Sequence, residues 1–224
     1  MRFPPEGLSL KWYGRFFEND GFMGALDLSL QVAFVTTIVS VFLGTTAALC
    51  HRRLGRHWRS GYRLILLLPI LLPELLTAMG LLFFLYQIGL GKSLFGLQIG
   101  HIIVTMPLTF LSVSAALQQV DPSLEEASDS LGAGSLHTFR HVLLPLIQAG
   151  IVSGALFAFV TSFDLFTISF LLKPIGGNTL PLAMFDFLTY DFDPTAAAAA
   201  TISILMAILG VLTIDRAIGL RNIV

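Results

Sequence analysis

A single cysteine, Cys50, in 224 residues excludes an intrachain disulfide and any multi-cysteine metal site, and reads as a small apolar residue at a helix end. Charge is scarce too. Only 12% of positions are Asp, Glu, Lys or Arg, the net charge is -1, and no long basic run occurs, which excludes a nucleic-acid surface or a polybasic lipid anchor. Residues 1–25 lack both a signal-peptide apolar core and a membrane anchor, so the chain is expected to start outside the bilayer. What is abundant is apolar: 55% of residues are hydrophobic and the mean hydropathy is +0.82, against roughly 45–50% apolar in soluble domains. The expected fold is an all-α polytopic membrane protein.

Five stretches, near residues 26–50, 62–88, 99–117, 146–172 and 196–219, are long enough to cross about 30 Å of hydrocarbon at about 1.5 Å per residue. Between the first two, Arg52, Arg53, Arg56, Arg59 and Arg63 form the densest basic cluster, which the positive-inside rule assigns to the cytoplasm. The amino terminus and the segments 89–98 and 173–195 then lie outside, while 118–145 and the carboxyl terminus lie inside, with eight of thirteen Lys and Arg cytoplasmic. The expected organisation is an extracytoplasmic, interfacial segment 1–25, a transmembrane domain 26–219 containing the cytoplasmic loop 118–145, and a cytoplasmic tail 220–224. An outside amino terminus with no preceding anchor leads to the further expectation of one more helix before Met1.

Within this frame, residues 8–17 mix aromatic and basic positions as an interfacial segment or an ordinary external loop would. Pro69, Pro73 and Pro107 each remove a helical hydrogen bond, so kinks or local unwinding are expected there. Thr195 to Thr201, with five alanines between, gives a smooth surface for close helix packing.

The interval 118–145 is acidic where a cytoplasmic membrane loop is usually basic. It holds Asp121, Glu125, Glu126 and Asp129 against Arg140, which favours a protein partner over lipid headgroups. Asp121 is a good N-cap and Pro122 suits the first helical position, so a short helix is expected through Glu125, Glu126, Ala127 and Leu131, ended by Gly132. Gly134 and Ser135 offer a turn and a second N-cap, and a second short helix with an apolar face through Leu136, Phe139 and Val142 or Leu143 is expected to close at Pro145. His137 and His141 have a spacing that can chelate a metal from one helical face, but without further ligands nearby they read as surface or interface residues.

This interval resembles the EAA loop of permease subunits of type I ABC importers, through Glu126, Ala127, Gly132, Leu144 and Pro145, with Ser128 in place of the second alanine of that pattern. The segments Phe3-Pro4-Pro5-Glu6-Gly7, Leu10-Lys11-Trp12-Tyr13, residues 120–127 and Ser162-Phe163-Asp164 narrow the resemblance to the C-type subunit of spermidine/putrescine importers. The resemblance implies a type I importer fold with one additional amino-terminal helix. It also implies a coupling loop in which Glu125, Glu126, Ala127, Asp129, Gly132, Ala133, Phe139, Arg140 and Pro145 meet a separate ATPase subunit. Implied partners are an ABC ATPase dimer carrying the ATP and Mg, a second homologous permease, an extracytoplasmic solute-binding protein and membrane lipids. No cofactor is expected on this chain, because Gly132-Ala133-Gly134-Ser135 lacks the lysine and length of a phosphate-binding P-loop.

Glu74 and Asp164 lie inside apolar spans, where an ionised carboxylate costs roughly 2.5–3.5 kcal/mol and does not face lipid. Two readings stand. Either Asp164 and Glu74 offer negative potential to a cationic substrate, with Ser162 and Thr167 as hydrogen-bond partners and Tyr86, Phe163 and Phe166 as a π wall, or the carboxylates are bonded between helices or protonated. Leu165 stands where the polyamine family often has a second acidic residue, so iron, thiamine, phosphonate or opine uptake remains open. An ion-coupled secondary transporter would need paired ionisable residues along several spans and usually an inverted repeat, neither of which is visible. An intramembrane enzyme would need a nucleophile and base or a metal cluster, and no convincing set lies in the spans.

Overall fold

Long apolar runs interrupted by Asn, Ser, Gly and Pro leave each backbone N–H only an intrasegment partner, and in lipid that selects helices. The computed structural model describes residues 9–190 and 194–218, and these form helices joined by short links, with no strand among the described residues. Helix α1 (Lys11–Glu18) is a short amphipathic segment that buries Phe16 and packs on α2 (Asp20–Arg53). Its Lys11 and Arg15 sit over the Trp12 ring at 4.5 and 4.7 Å. Asn19 caps α2 by accepting the Phe22 N–H at 3.1 Å. The 34 residues of α2 rise about 51 Å, well beyond a hydrocarbon core of about 30 Å.

The second expected span is a broken one: α3 (Arg56–Leu71) and α4 (Glu74–Gln87) meet at 99°. The break falls at Pro73, whose ring forces the preceding Leu72 into extended backbone (φ -82°, ψ 148°). Pro69 lies within α3 and Pro107 within α5 (Leu94–Gln118), so the local unwinding expected at these two prolines does not occur. Next come α6 (Pro122–Ser130), α7 (Ser135–Thr138), a π-helical turn (Phe139–Leu143) and α8 (Leu144–Phe163). The expected span 146–172 is shorter. It stops at Phe163, and after Asp164 and Leu165 the chain restarts as α9 (Phe166–Leu172), followed by α10 (Leu180–Tyr190) and α11 (Thr195–Ile218). Among the described residues four helical spans are long and apolar enough to cross a membrane, or five if the bent α3–α4 pair is counted as one span. The segment Phe3 to Gly7 and the expected tail 220–224 lie outside the described residues.

The centre of the molecule is the packing of α2, α5 and α8, and small residues set its distances. A Cβ on Gly44 of α2 would stand 2.7 Å from Thr109 Cβ on α5, and one on Gly154 of α8 would stand 2.9 Å from Thr109 Cγ2. The Thr109 hydroxyl donates to Gly154 O at 3.2 Å. Further along α5, Ser40 and Thr105 hydroxyls bond at 2.8 Å and Thr105 donates to His101 O. The fully buried His101 ring bonds Ser162 through Nδ1 (2.8 Å) and Ser169 through Nε2 (3.0 Å), tying α8 and α9 together across their break. Large side chains such as Ile38, Phe42, Ile65 and Ile204 point outward, as a lipid or protein solvent requires.

Candidate coupling loop and substrate path

The acidic interval folds as two short arms. Asp121 caps α6 by accepting the Ser123 N–H at 2.9 Å, a bond that holds its carboxyl below the usual carboxylate range. Pro122 occupies the first turn, and Gly132 takes the left-handed conformation (φ 79°) that a residue with a Cβ resists. Gly132 N–H donates to Asp129 O and Ala133 N–H to Ser128 O, at 2.9 and 3.1 Å, which is the Schellman closure of a helix. The second arm differs from expectation in two ways. Gly134, not Ser135, is the N-cap of α7, with no side-chain bond. Nor does Pro145 close that arm: α7, the π turn and α8 form one apolar span, Ser135–Phe163. The wide π turn comes immediately before Pro145, which has no N–H and whose ring crowds the carbonyl four residues back.

The side chains of α6 divide by face. Glu126, Ala127 and Asp129 are exposed, as are Gly132 and Arg140 beyond the helix, while Leu131 and Leu136 at the tip are 88% and 78% exposed. Glu125 turns inward instead and pairs with Arg52 at 2.6 Å. Ser128 also faces inward, and its hydroxyl meets that of the buried Thr138 at 2.9 Å, pinning one arm to the other. Ala133 and Phe139 are half-buried, and Pro145 is exposed at the start of α8. His137 and His141 stack with centroids 4.1 Å apart, and His141 Nδ1 lies 3.1 Å from His137 O. Arg52 and Thr138 carry no local signal in the sequence. Arg52 is one arginine in a basic run, and only the substitution of Ser128 for alanine hints that Thr138 has a partner.

Asp164 sits in the link that ends α8, exposed, at the edge of a cavity of about 470 Å³ between α9, α10 and α11. Phe166, Met184, Phe185 and Ser203 share its wall, with Phe166 edge-on to Phe185 at 5.3 Å. Among the described residues lining it, Asp164 is the one ionisable group. The other path candidates are elsewhere. Ser162 is buried, bonded to His101 and not among the residues lining this cavity, and Phe163 is buried in the core. Thr167 is half-buried on α9. Glu74 opens α4 at the 99° break, where its Oε1 and the Thr77 hydroxyl are buried without a hydrogen-bond partner among the described residues. Tyr86, 55% exposed, lies about 18 Å further along α4, against Gly91.

Comparison with known proteins agrees with this architecture. Residues 40–221 match the family model for the inner membrane component of binding-protein-dependent transport systems. The putrescine transport system permease PotI of Escherichia coli K12 is 31% identical over 203 residues, covering 88% of this chain and 72% of that protein. The spermidine/putrescine permease PotC of Haemophilus influenzae is 26% identical, covering 91% and 79%. A putative 2-aminoethylphosphonate permease, PhnV, of Salmonella paratyphi A is 28% identical, covering 82% and 69%. Among solved structures, a bacterial ABC transporter importing the polysaccharide alginate superposes with a TM-score of 0.74 at 16% identity, covering 96% and 85%. The MetNI methionine ABC transporter does so at 0.67 and 19%, covering 89% and 97%. With the model matching most of its length, this chain belongs to the family of inner membrane components of binding-protein-dependent transport systems: it is a multi-pass transport permease, not an enzyme.

Proposed function

We propose that this permease moves a small organic cation of the polyamine class inward by alternating access. The observation that carries the reading is Asp164 as the one ionisable group among the described residues of an aromatic-walled cavity, a setting suited to an alkylammonium group by charge and by π face. Two of the relatives are named for putrescine or spermidine, which supports the same reading. The aminoethylphosphonate relative favours a second substrate class: that solute's ammonium would suit Asp164 equally, but no cationic side chain among the described lining residues is there to meet its phosphonate.

In this reading ATP is hydrolysed on a separate ABC ATPase dimer, which docks on the exposed Glu126, Ala127, Asp129 and Gly132 of the loop. A second permease completes the pathway, and an extracytoplasmic receptor delivers the solute. The loop and carboxyl terminus are cytoplasmic and the amino terminus is outside, following the arginines 52 to 63. Glu74 is a secondary candidate on the path because its buried oxygen lacks a partner among the described residues.

The test is uptake of labelled putrescine by the assembled transporter with Asp164→Asn. Losing a charge-assisted contact is expected to raise the KM on the order of tenfold with expression and ATPase activity retained. Unchanged KM for putrescine removes Asp164 from the substrate path.

A further inference from the structure

Helix α6 packs on α7 and the π turn, but a cavity of about 660 Å³ separates it from the cytoplasmic ends of α2 and α5. Arg52 reaches across this gap. Its Nη2 pairs with Glu125 Oε1 at 2.6 Å, while Nη1 donates to Leu117 O at 3.1 Å and Nη2 to Val120 O at 3.4 Å. One guanidinium at the last turn of α2 therefore holds both the end of α5 and the middle of α6. Its own backbone is held in turn: Arg59 donates to Arg52 O and to Leu54 O, both at 2.8 Å, satisfying carbonyls at the end of α2.

Arg52 and Glu125 are 21% and 26% exposed, so the pair is shielded from the solvent and salt that weaken surface ion pairs. The planar fork of arginine lets it serve a carboxylate and two carbonyls at once, which a lysine could not do in fixed geometry. Glu126, the next residue, stands at the rim of the same cavity, is exposed and makes no ion pair with Arg52. Of the two adjacent carboxylates, one is engaged by Arg52 and the other is exposed at the cavity rim.

We infer that Arg52 and Glu125 form an internal transmission brace, through which movement of α6 is passed to α2 and α5. The inference rests on the reading that the loop couples the permease to an ATPase. Without the brace, α6 can follow its partner while α2 and α5 lag, because the open cavity gives it room to tilt. The Ser128–Thr138 bond carries the same movement to α8 by a separate route.

The test uses the full transporter in liposomes with R52Q, E125Q and the double variant, measuring ATP consumed per solute imported and ATPase co-purification. Each single variant is expected to keep the ATPase bound while the ATP-to-solute ratio rises at least about fivefold, and the double to be no worse than the poorer single. E125Q leaves both carbonyl bonds of Arg52 in place, so it decides the matter if R52Q does not accumulate. An unchanged ratio in E125Q, effects that multiply in the double variant, or loss of ATPase binding in E125Q overturns the brace. Glu126→Arg serves as the separate control: if it leaves ATPase binding intact, the docking reading of the loop fails, whatever Arg52 does.

Discussion

At the scale of single residues, neighbouring positions of one helix do different work. Ser128 replaces the alanine of the EAA pattern, and the structure gives that hydroxyl a partner, Thr138. Thr138 also has Gly134 O within 3.4 Å, so removing Ser128 does not orphan it. Ser128→Ala, which restores the alanine, is therefore expected to loosen the two arms by about 1 kcal/mol without unfolding them. Hydrogen exchange of the α6 amides checks this, with a roughly fivefold loss of protection expected and no change elsewhere. That Glu125 is half-buried against Arg52 while Glu126 is exposed at the cavity rim follows from helical geometry, since consecutive residues point about 100° apart. Which of the two meets Arg52 depends on where the end of α2 lies, and local spacing carries no trace of that.

At the scale of elements, the helices differ in how clearly the sequence announces them. The caps at Asp121, Pro122 and Gly132 are local chemistry and were legible residue by residue. The break at Asp164 was not, because neither Gly nor Pro marks it and the apolar run continues to Leu172. It is held from outside, by His101 on α5 bonding Ser162 on one side and Ser169 on the other. The prolines differ among themselves: the helix does not unwind at Pro69 or Pro107, whereas Pro73 marks a sharp bend. Packing of α8 on α5 depends on Gly154 lying against Thr109. Gly154→Leu is expected to force these helices apart at a cost of about 1–3 kcal/mol or more. Thermal unfolding of the detergent-solubilised protein checks it, with a lowered midpoint expected, whereas Gly55→Ala, at a site with open space, is expected to leave it unchanged.

At the scale of the whole molecule, α2 is longer than the hydrocarbon core is thick and brings Arg52 to the loop, so one helix joins the central three-helix packing to the two short arms. On the proposed reading, the exposed tip, the brace and the α2–α5–α8 packing form a connected route from a partner's surface to the helices around Asp164. The multi-span, all-helical character and the loop were legible from hydropathy and a short motif. The relation of the loop to α2 is tertiary and came only with the fold. The most direct test of this account is uptake of labelled putrescine into liposomes holding this chain with its ATPase, second permease and receptor. The account predicts uptake that requires ATP on the loop's side and is lost in Glu126→Arg, while the altered chain still inserts. Uptake that runs on an ion gradient without ATP, or that persists undiminished in Glu126→Arg, would contradict it.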